Sequence, residues 1–216
     1  MKKRIALAMA CLLLSASISG VLYGLFVMTT PTLENVFTVG SVKIRLTEPH
    51  YDPSGNTPMV QGQTVGKDPV ITNTGTNPAF VWLEVEVPKE TVRLLTEAGA
   101  PEEKEEELFS LDGLDDKNWV LVESRSAGEG KTMTYVYGYA SILPPEGDGR
   151  TTEPLFQTVT YKKILEDSQE AHAYNIDVRA YGIQTTLSGL EHFGGKLTAE
   201  DFKTIISAYA EDVAEE

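Results

Sequence analysis

The sequence predicts an all-β fold, a two-sheet antiparallel sandwich, on three observations. Apolar residues recur with a period of two in several runs: Val42, Ile44 and Leu46; Ala79, Val81, Leu83, Val85 and Val87; Tyr174, Ile176, Val178 and Ala180. Clusters of Gly, Pro, Asn and Asp separate these runs at irregular intervals. Strand-like runs do not alternate with helical ones, as a parallel sheet requires. Roughly seven or eight short strands rich in Val, Thr and Tyr therefore pack as two layers.

Composition bounds the rest. The 216 residues are 41% hydrophobic and 23% charged, which suits one globular domain with appendages. A net charge of −14 and a pI near 4.6 argue against nucleic acid or an anionic membrane surface as partner. The single cysteine, Cys11, lies in the first apolar stretch, so the folded domain has no disulfide framework and no all-cysteine metal site.

Along the chain, Lys2, Lys3 and Arg4 precede an uncharged stretch from Ile5 to Met28, which reads as an export signal. Its 24 residues are long enough to cross a bilayer, so retention as an anchor is the alternative. Ser15, Ala16, Ser17, Ser19 and Gly20 lower its hydrophobicity and favour cleavage. The expected organisation is a signal peptide over 1–28, a sandwich over 29–190 with an acidic insertion near 89–116, and a helical tail over 191–216.

Strand by strand, Val42, Ile44 and Leu46 face one way, and Phe37 and Val39 are out of phase with them, which predicts a bulge at Gly40. Residues 49–66 read as loop. Val70 and Ile71 form a short strand, and a turn over Asn73–Pro78 leads into the inward set from Ala79 to Val87. Pro88 is expected to end that strand. "KETVRLLTEAG" carries helical spacing at Val92, Leu94 and Leu95, and "PEEKEEEL" reads as a solvated charge run.

"NWVLVES" and "KTMTYVYGYASIL" are strands, the second with Met133, Tyr135, Tyr137 and Tyr139 on one side. "TTEPLFQTVTYKKIL" begins extended and turns helical toward Leu165, and "AYNIDVRAYGIQTT" closes the β set. In the tail, Phe202, Ile205, Ile206, Tyr209 and Val213 stand at helical spacing, and Thr198 with Asp201 resembles a capping box, so one amphipathic helix docks on the sandwich.

One feature breaks the alternation. Phe80 and Trp82 lie on the outward face of their strand, with Glu84 and Glu86. Either a neighbouring subunit covers them, making them an interface, or the Pro-rich loop at 49–69 does.

Signals for chemistry are thin. No zinc-protease, nucleophile-elbow or phosphate-loop motif is present. His50, His172 and His192 are far apart in sequence and lack ligand-spaced neighbours. Asp112, Asp115 and Asp116 flank Gly113 but lack the alternation and terminal Glu of a calcium loop, so they read as a solvated turn. No cofactor, metal site or catalytic residue is assigned.

Four segments in order, "FTVGSVKIRLTEP" after the export signal, "KDPVITNTGTNPAFVWLEVEVP", "YVYGYASIL…TTEPLF" and "IDVRAYGIQ", together resemble the TasA/camelysin family of Gram-positive secreted proteins with SipW-type signal peptides. The resemblance covers roughly residues 1 to 187. It implies a jelly-roll-like sandwich, a place in the extracellular matrix or on the cell surface, and a role in biofilm fibres. In such fibres the N-terminal segment of one subunit adds as a strand to the next.

Carried onto this chain, the donor segment spans about 25–36, and Leu25, Phe26, Val27, Met28, Leu33, Val36 and Phe37 supply its apolar side chains. The implied partners are further copies of the chain, an accessory matrix subunit, and a signal peptidase during export. The sequence departs from this pattern in two places: "GLFVMTTPTLEN" has no clear small-x-small cleavage pattern, and Pro31 removes one ladder donor from the donor strand. Camelysin-like members are also classed as zinc metallo-endopeptidases, but no ligand spacing here matches a catalytic zinc. A third expectation is a monomeric adhesin binding through Phe80, Trp82 or the row Tyr135, Tyr137, Tyr139.

Overall fold

A computed structural model describes residues 42–51, 59–95, 101–164 and 174–214. The export signal, Cys11, the donor segment from Leu25 to Phe37, the bulge at Gly40, Leu165 and His172 lie outside these residues. Among the described residues no helix is long and apolar enough to cross a membrane.

The described chain holds ten strands and one C-terminal helix, and every strand pair is antiparallel. The main sheet runs in the order β10 (Asp177–Gln184), β4 (Ala79–Leu95), β8 (Thr132–Tyr139), β7 (Trp119–Ala127). Strand β5 (Pro101–Glu107) pairs with the far end of β4. Two smaller sheets complete the fold: β1 (Ile44–Thr47) with β3 (Val70–Asn73), and β2 (Thr64–Gly66), β9 (Thr158–Tyr161), β6 (Phe109–Asp112).

The period-two runs bury as the alternation requires. Val42, Ile44 and Leu46 meet Ala79, Val81, Leu83, Val85 and Val87 of β4 and Val178 and Ala180 of β10 in one cluster. Ile71, Phe109, Trp119, Leu155, Phe156 and Val159 fill the rest of that cluster, which lies between the main sheet and the two smaller ones. Trp119 places its indole N–H on the Glu153 carbonyl at 3.0 Å, so its one polar atom is satisfied within the core.

Three expectations are corrected. First, β4 does not end at Pro88 but continues to Leu95. The proline falls where β4 changes partners: its last pair with β10 is Glu86–Asp177, and its first with β5 is Lys89–Glu107. On its other edge β4 stays paired with β8, with Pro88 opposite Thr132. The Pro88 carbonyl accepts the Leu108 N–H at 2.9 Å, so the missing N–H faces the side on which the partners change. Second, "KETVRLL" is strand and not helix. Val92 is buried in the core, and alternation puts Thr91 and Arg93 on the other face of the ribbon. With only three apolar residues, periods of 2 and 3.6 are hard to tell apart, and tertiary pairing decides. "PEEKEEE" is the partner strand β5 of that ribbon, and Glu102 to Glu105 are exposed, as a solvated charge run requires. Third, residues 64–66, expected as loop, form β2.

The acidic ribbon is held down by cations and one phenol. Lys162 Nζ bonds Glu106 at 2.6 Å and Lys104 Nζ reaches it at 3.1 Å, and the hydrogen bond from Lys162 holds the Glu106 carboxyl below its ordinary range. The Tyr135 hydroxyl donates to Glu107. Burial, then the bond to Glu107, raises that phenol above its usual pKa, so it stays the donor.

The C-terminal helix α1 (Ala199–Ala214) begins at the predicted capping box. The Thr198 N–H donates to Asp201 Oδ2 at 2.8 Å, and the Asp201 N–H donates to Thr198 Oγ1 at 3.3 Å.

Candidate functional site

The outer face of the main sheet is divided in two. On β4, Phe80 and Trp82 stand beside Ile183 and Tyr181 of β10, their register partners. Two residues further along, Glu84 and Glu86 stand beside Arg179 and Asp177. Sequence alternation places all four β4 residues on one face, and the structure shows why half of that face is apolar.

Phe80 and Trp82 are 0% and 3% exposed. Their cover is the C-terminal part of the same chain, which corrects both expectations: neither a neighbouring subunit nor the 49–69 loop supplies it. Phe202 and Ile205 of α1, with Leu190 and Leu197 of the preceding strap, form a second core against them and against Val136 and Ile183. Trp82 stacks on Tyr181 with ring centroids 5.6 Å apart and planes at 10°, and meets the edge of Tyr209 at 5.1 Å. Phe80 meets Phe193 edge-on at 6.3 Å. These two residues are therefore a helix-docking platform.

Beyond the helix the face is charged. Arg179 Nη1 bonds Glu86 at 2.6 Å and Glu84 at 3.1 Å, and Arg125 of β7 bonds Glu84 at 2.8 Å. The bond to Glu86 raises the Arg179 guanidinium further above its ordinary pKa, and burial opposes this. These pairs join β4 to its neighbour β10 and reach across β8 to β7. Nothing in the linear sequence singled out Arg125, because its approach to Glu84 depends on β8 lying between β7 and β4.

Thr134 of β8 lies in the same charged half, in register with Glu86 and Arg125. It is buried, and its hydroxyl oxygen makes no hydrogen bond, the one such side-chain atom among the described residues. A buried hydroxyl without a partner costs stability that a methyl of the same shape does not. Thr134→Val is expected to raise stability by about 1 kcal/mol, which raises Tm by roughly 2–4 °C in a domain of this size. Calorimetry checks it, and a fall in Tm would show that the hydroxyl is satisfied by solvent.

The tyrosine row does not form an open surface. Tyr135, Tyr137 and Tyr139 lie on the inner side of β8 and pack against the main core, partly buried. Tyr139 meets Trp119 edge-on at 5.1 Å. Burial is the leading cause that raises the pKa of all three phenols. The adhesin expectation thus loses Phe80, Trp82 and this row as free contacts.

The polar candidates serve turns. Asp115 accepts the Lys117 and Asn118 N–H groups at 3.1 Å each and the Asn118 amide at 2.7 Å. Asp112 accepts the Thr160 hydroxyl at 2.6 Å. His50 gives its backbone N–H and its Nδ1 to the buried Asp68, at 2.8 and 2.6 Å, which ties the turn after β1 to the chain entering β3. His192 lies against the Phe193 ring. Among the described residues no three His, Cys, Asp or Glu are grouped to hold a metal ion.

What the architecture leaves open is its edges. Among the described residues β7 and β10 each pair on one side only. Strand β7 is blunted: it has an irregularity between Leu121 and Glu123, and Glu123, Ser124, Arg125 and Ser126 are exposed. Strand β10 has no bulge. Its eight residues run in unbroken register with β4 and contain no proline, and its charged residues are Asp177 and Arg179, the second paired with Glu84 and Glu86. At its Gly182 the start of the described chain packs on the inner face of the strand: a Cβ there would lie 3.2 Å from Ile44 and 3.4 Å from Val42. No family model, curated protein or solved structure matches the chain.

Proposed function

We propose that this chain is an exported structural protein of the extracellular matrix or cell surface, with a jelly-roll-like sandwich that assembles by strand addition. The acceptor in this reading is the outer edge of β10, and the donor is the segment of another copy around Leu25, Phe26, Val27, Met28, Leu33, Val36 and Phe37. The observation that carries it is β10 itself: eight residues in regular register, unpaired on one side among the described residues, and without the bulge that guards β7.

The order of the four strand motifs supports the same reading. An added strand gains about 1 kcal/mol net per ladder bond, so most of the affinity comes from its apolar side chains, at about 25 cal/mol per Å² buried. The donor segment of one copy enters at the β10 edge of the next. Such a head-to-tail contact uses two different surfaces of each copy, and it propagates as a filament unless the rotation closes a ring.

The test is electron microscopy and sedimentation of the exported form, with and without residues 25–37. Filaments are expected from the intact form and none from the truncated one, whose circular dichroism stays that of a β protein. Intact protein that remains monomeric at every concentration and pH overturns the reading. In that case the segment closes its own β10.

A further inference from the structure

We propose that the cavity between the β6–β7 turn, the end of β8 and the strap leading into α1 binds a small tetrahedral oxyanion of the phosphate class. The cavity has a volume of about 280 Å³ and is lined by Lys117, Asn118, Ala140, Ser141, Gly195 and Lys196. Its walls come from three segments that are bonded to one another. The Ala140 N–H donates to the Asn118 carbonyl at 2.8 Å, and the Leu197 N–H donates to the Ala140 carbonyl at 2.9 Å. Both lysine-bearing turns are fixed from outside the cavity, one by the Asp115 carboxylate and the other by the Thr198–Asp201 capping box.

Charge singles the place out. In a chain of net charge −14, seven described cations are paired with carboxylates: Lys67 with Glu48, Lys89 with Glu105, Lys162 and Lys104 with Glu106, Lys203 with Glu200, and Arg125 and Arg179 with Glu84. Lys117 and Lys196 pair with no described carboxylate. Other lysines share that property, but these two line one cavity from opposite turns.

Asp115, in the same turn as Lys117, turns both its oxygens to N–H groups of that turn. Two ammonium groups match a doubly charged anion, and the Ser141 hydroxyl supplies a neutral donor. Gly195, at φ +72°, has nothing within 4 Å of where a Cβ would stand, so the mouth is open on that side. The volume exceeds that of a bare anion and admits the organic end of a phosphate ester. A free anion and an ester on a surface polymer are thus the two sources.

The experiment is a ¹H–¹⁵N titration of the full exported chain with inorganic phosphate and, separately, glycerol phosphate, against sodium chloride at equal ionic strength. Saturable shifts confined to 117–119, 140–142 and 194–197 are expected. The double variant Lys117→Gln/Lys196→Gln should weaken binding about tenfold or more, and Lys203→Gln, on an exposed face of α1, should not. Tighter binding of glycerol phosphate assigns the ester, and equal or weaker binding assigns the free anion. Shifts that sodium chloride reproduces, shifts indifferent to the double variant, or no shifts at all overturn the proposal. The readout is independent of assembly, so it stands or falls apart from strand addition.

Discussion

Gly138→Ala is expected to destabilise the protein by about 1–3 kcal/mol and to loosen the C-terminal helix before the sandwich unfolds. In an exposed strand the same change would stabilise by roughly 0.5–1 kcal/mol, because glycine carries excess freedom in the unfolded chain. Packing decides the sign here. A Cβ at position 138 would lie 2.3 to 2.5 Å from three ring carbons of Phe202, far inside any real contact, and that ring is fully buried and has nowhere to move. Phe202→Ala, which empties the same site, should cost about 3–5 kcal/mol.

The pair makes the mechanism testable. With the ring gone, the methyl at position 138 has space, so the double variant should lose clearly less than the sum of the single losses. Urea unfolding of the four proteins gives the coupling, and limited proteolysis reports whether α1 is released first. Additive losses, or a Gly138→Ala protein as stable as the parent, would show that the helix does not depend on this contact.

That contact also shows where sequence reasoning reaches its limit. The capping box and the spacing of Phe202, Ile205 and Tyr209 gave the helix and its apolar stripe, because both signals are local. The alternation in β4 gave the two outward aromatics for the same reason. What it lacked was their cover, since pairing Phe202 with Gly138 joins residues 64 positions apart and needs β8 to lie beside β4. The fold class was legible from period two, but the ribbon β4–β5 was not. Its glutamates carry no hydrophobic period, and they pair because Leu108 at the base of the ribbon and Val92 in its middle are buried in the core. The ion-pair lattice of Glu84, Glu86, Arg125 and Arg179 was hidden in the same way: each charge looked like an ordinary solvated residue until strand order brought it to a neighbour. The edge of β10 is a property of sheet order and has no sequence signature of its own.

The second large effect is expected at Asn73, which the sequence marked only as the start of a turn. The structure buries it completely and uses both ends of its amide. Nδ2 donates to the carbonyls of Asn77 and Leu143, at 2.9 and 3.1 Å, and Oδ1 accepts the Gly75 N–H at 2.9 Å. One side chain thereby closes the β3–β4 turn and fastens it to Leu143, whose backbone also exchanges two hydrogen bonds with Ala79 at the start of β4. Asn73→Ala removes three bonds worth about 1 kcal/mol each and strands buried partners, so a loss of about 2–4 kcal/mol is expected.

Asn73→Asp separates hydrogen bonding from shape. It keeps the volume and the acceptor for Gly75, but it turns an oxygen toward two carbonyls and buries a charge, so at neutral pH it should be no better than alanine. Burial and the facing carbonyls raise the pKa of such a carboxyl in the folded state above its unfolded value. Folding then favours the protonated form, which donates again, and the deficit should shrink as pH falls toward and below the folded pKa. Denaturant titrations at neutral and mildly acidic pH check both parts. An aspartate variant as stable as the parent at neutral pH would mean that the amide is not the fastening, and that shape alone holds the turn to Leu143.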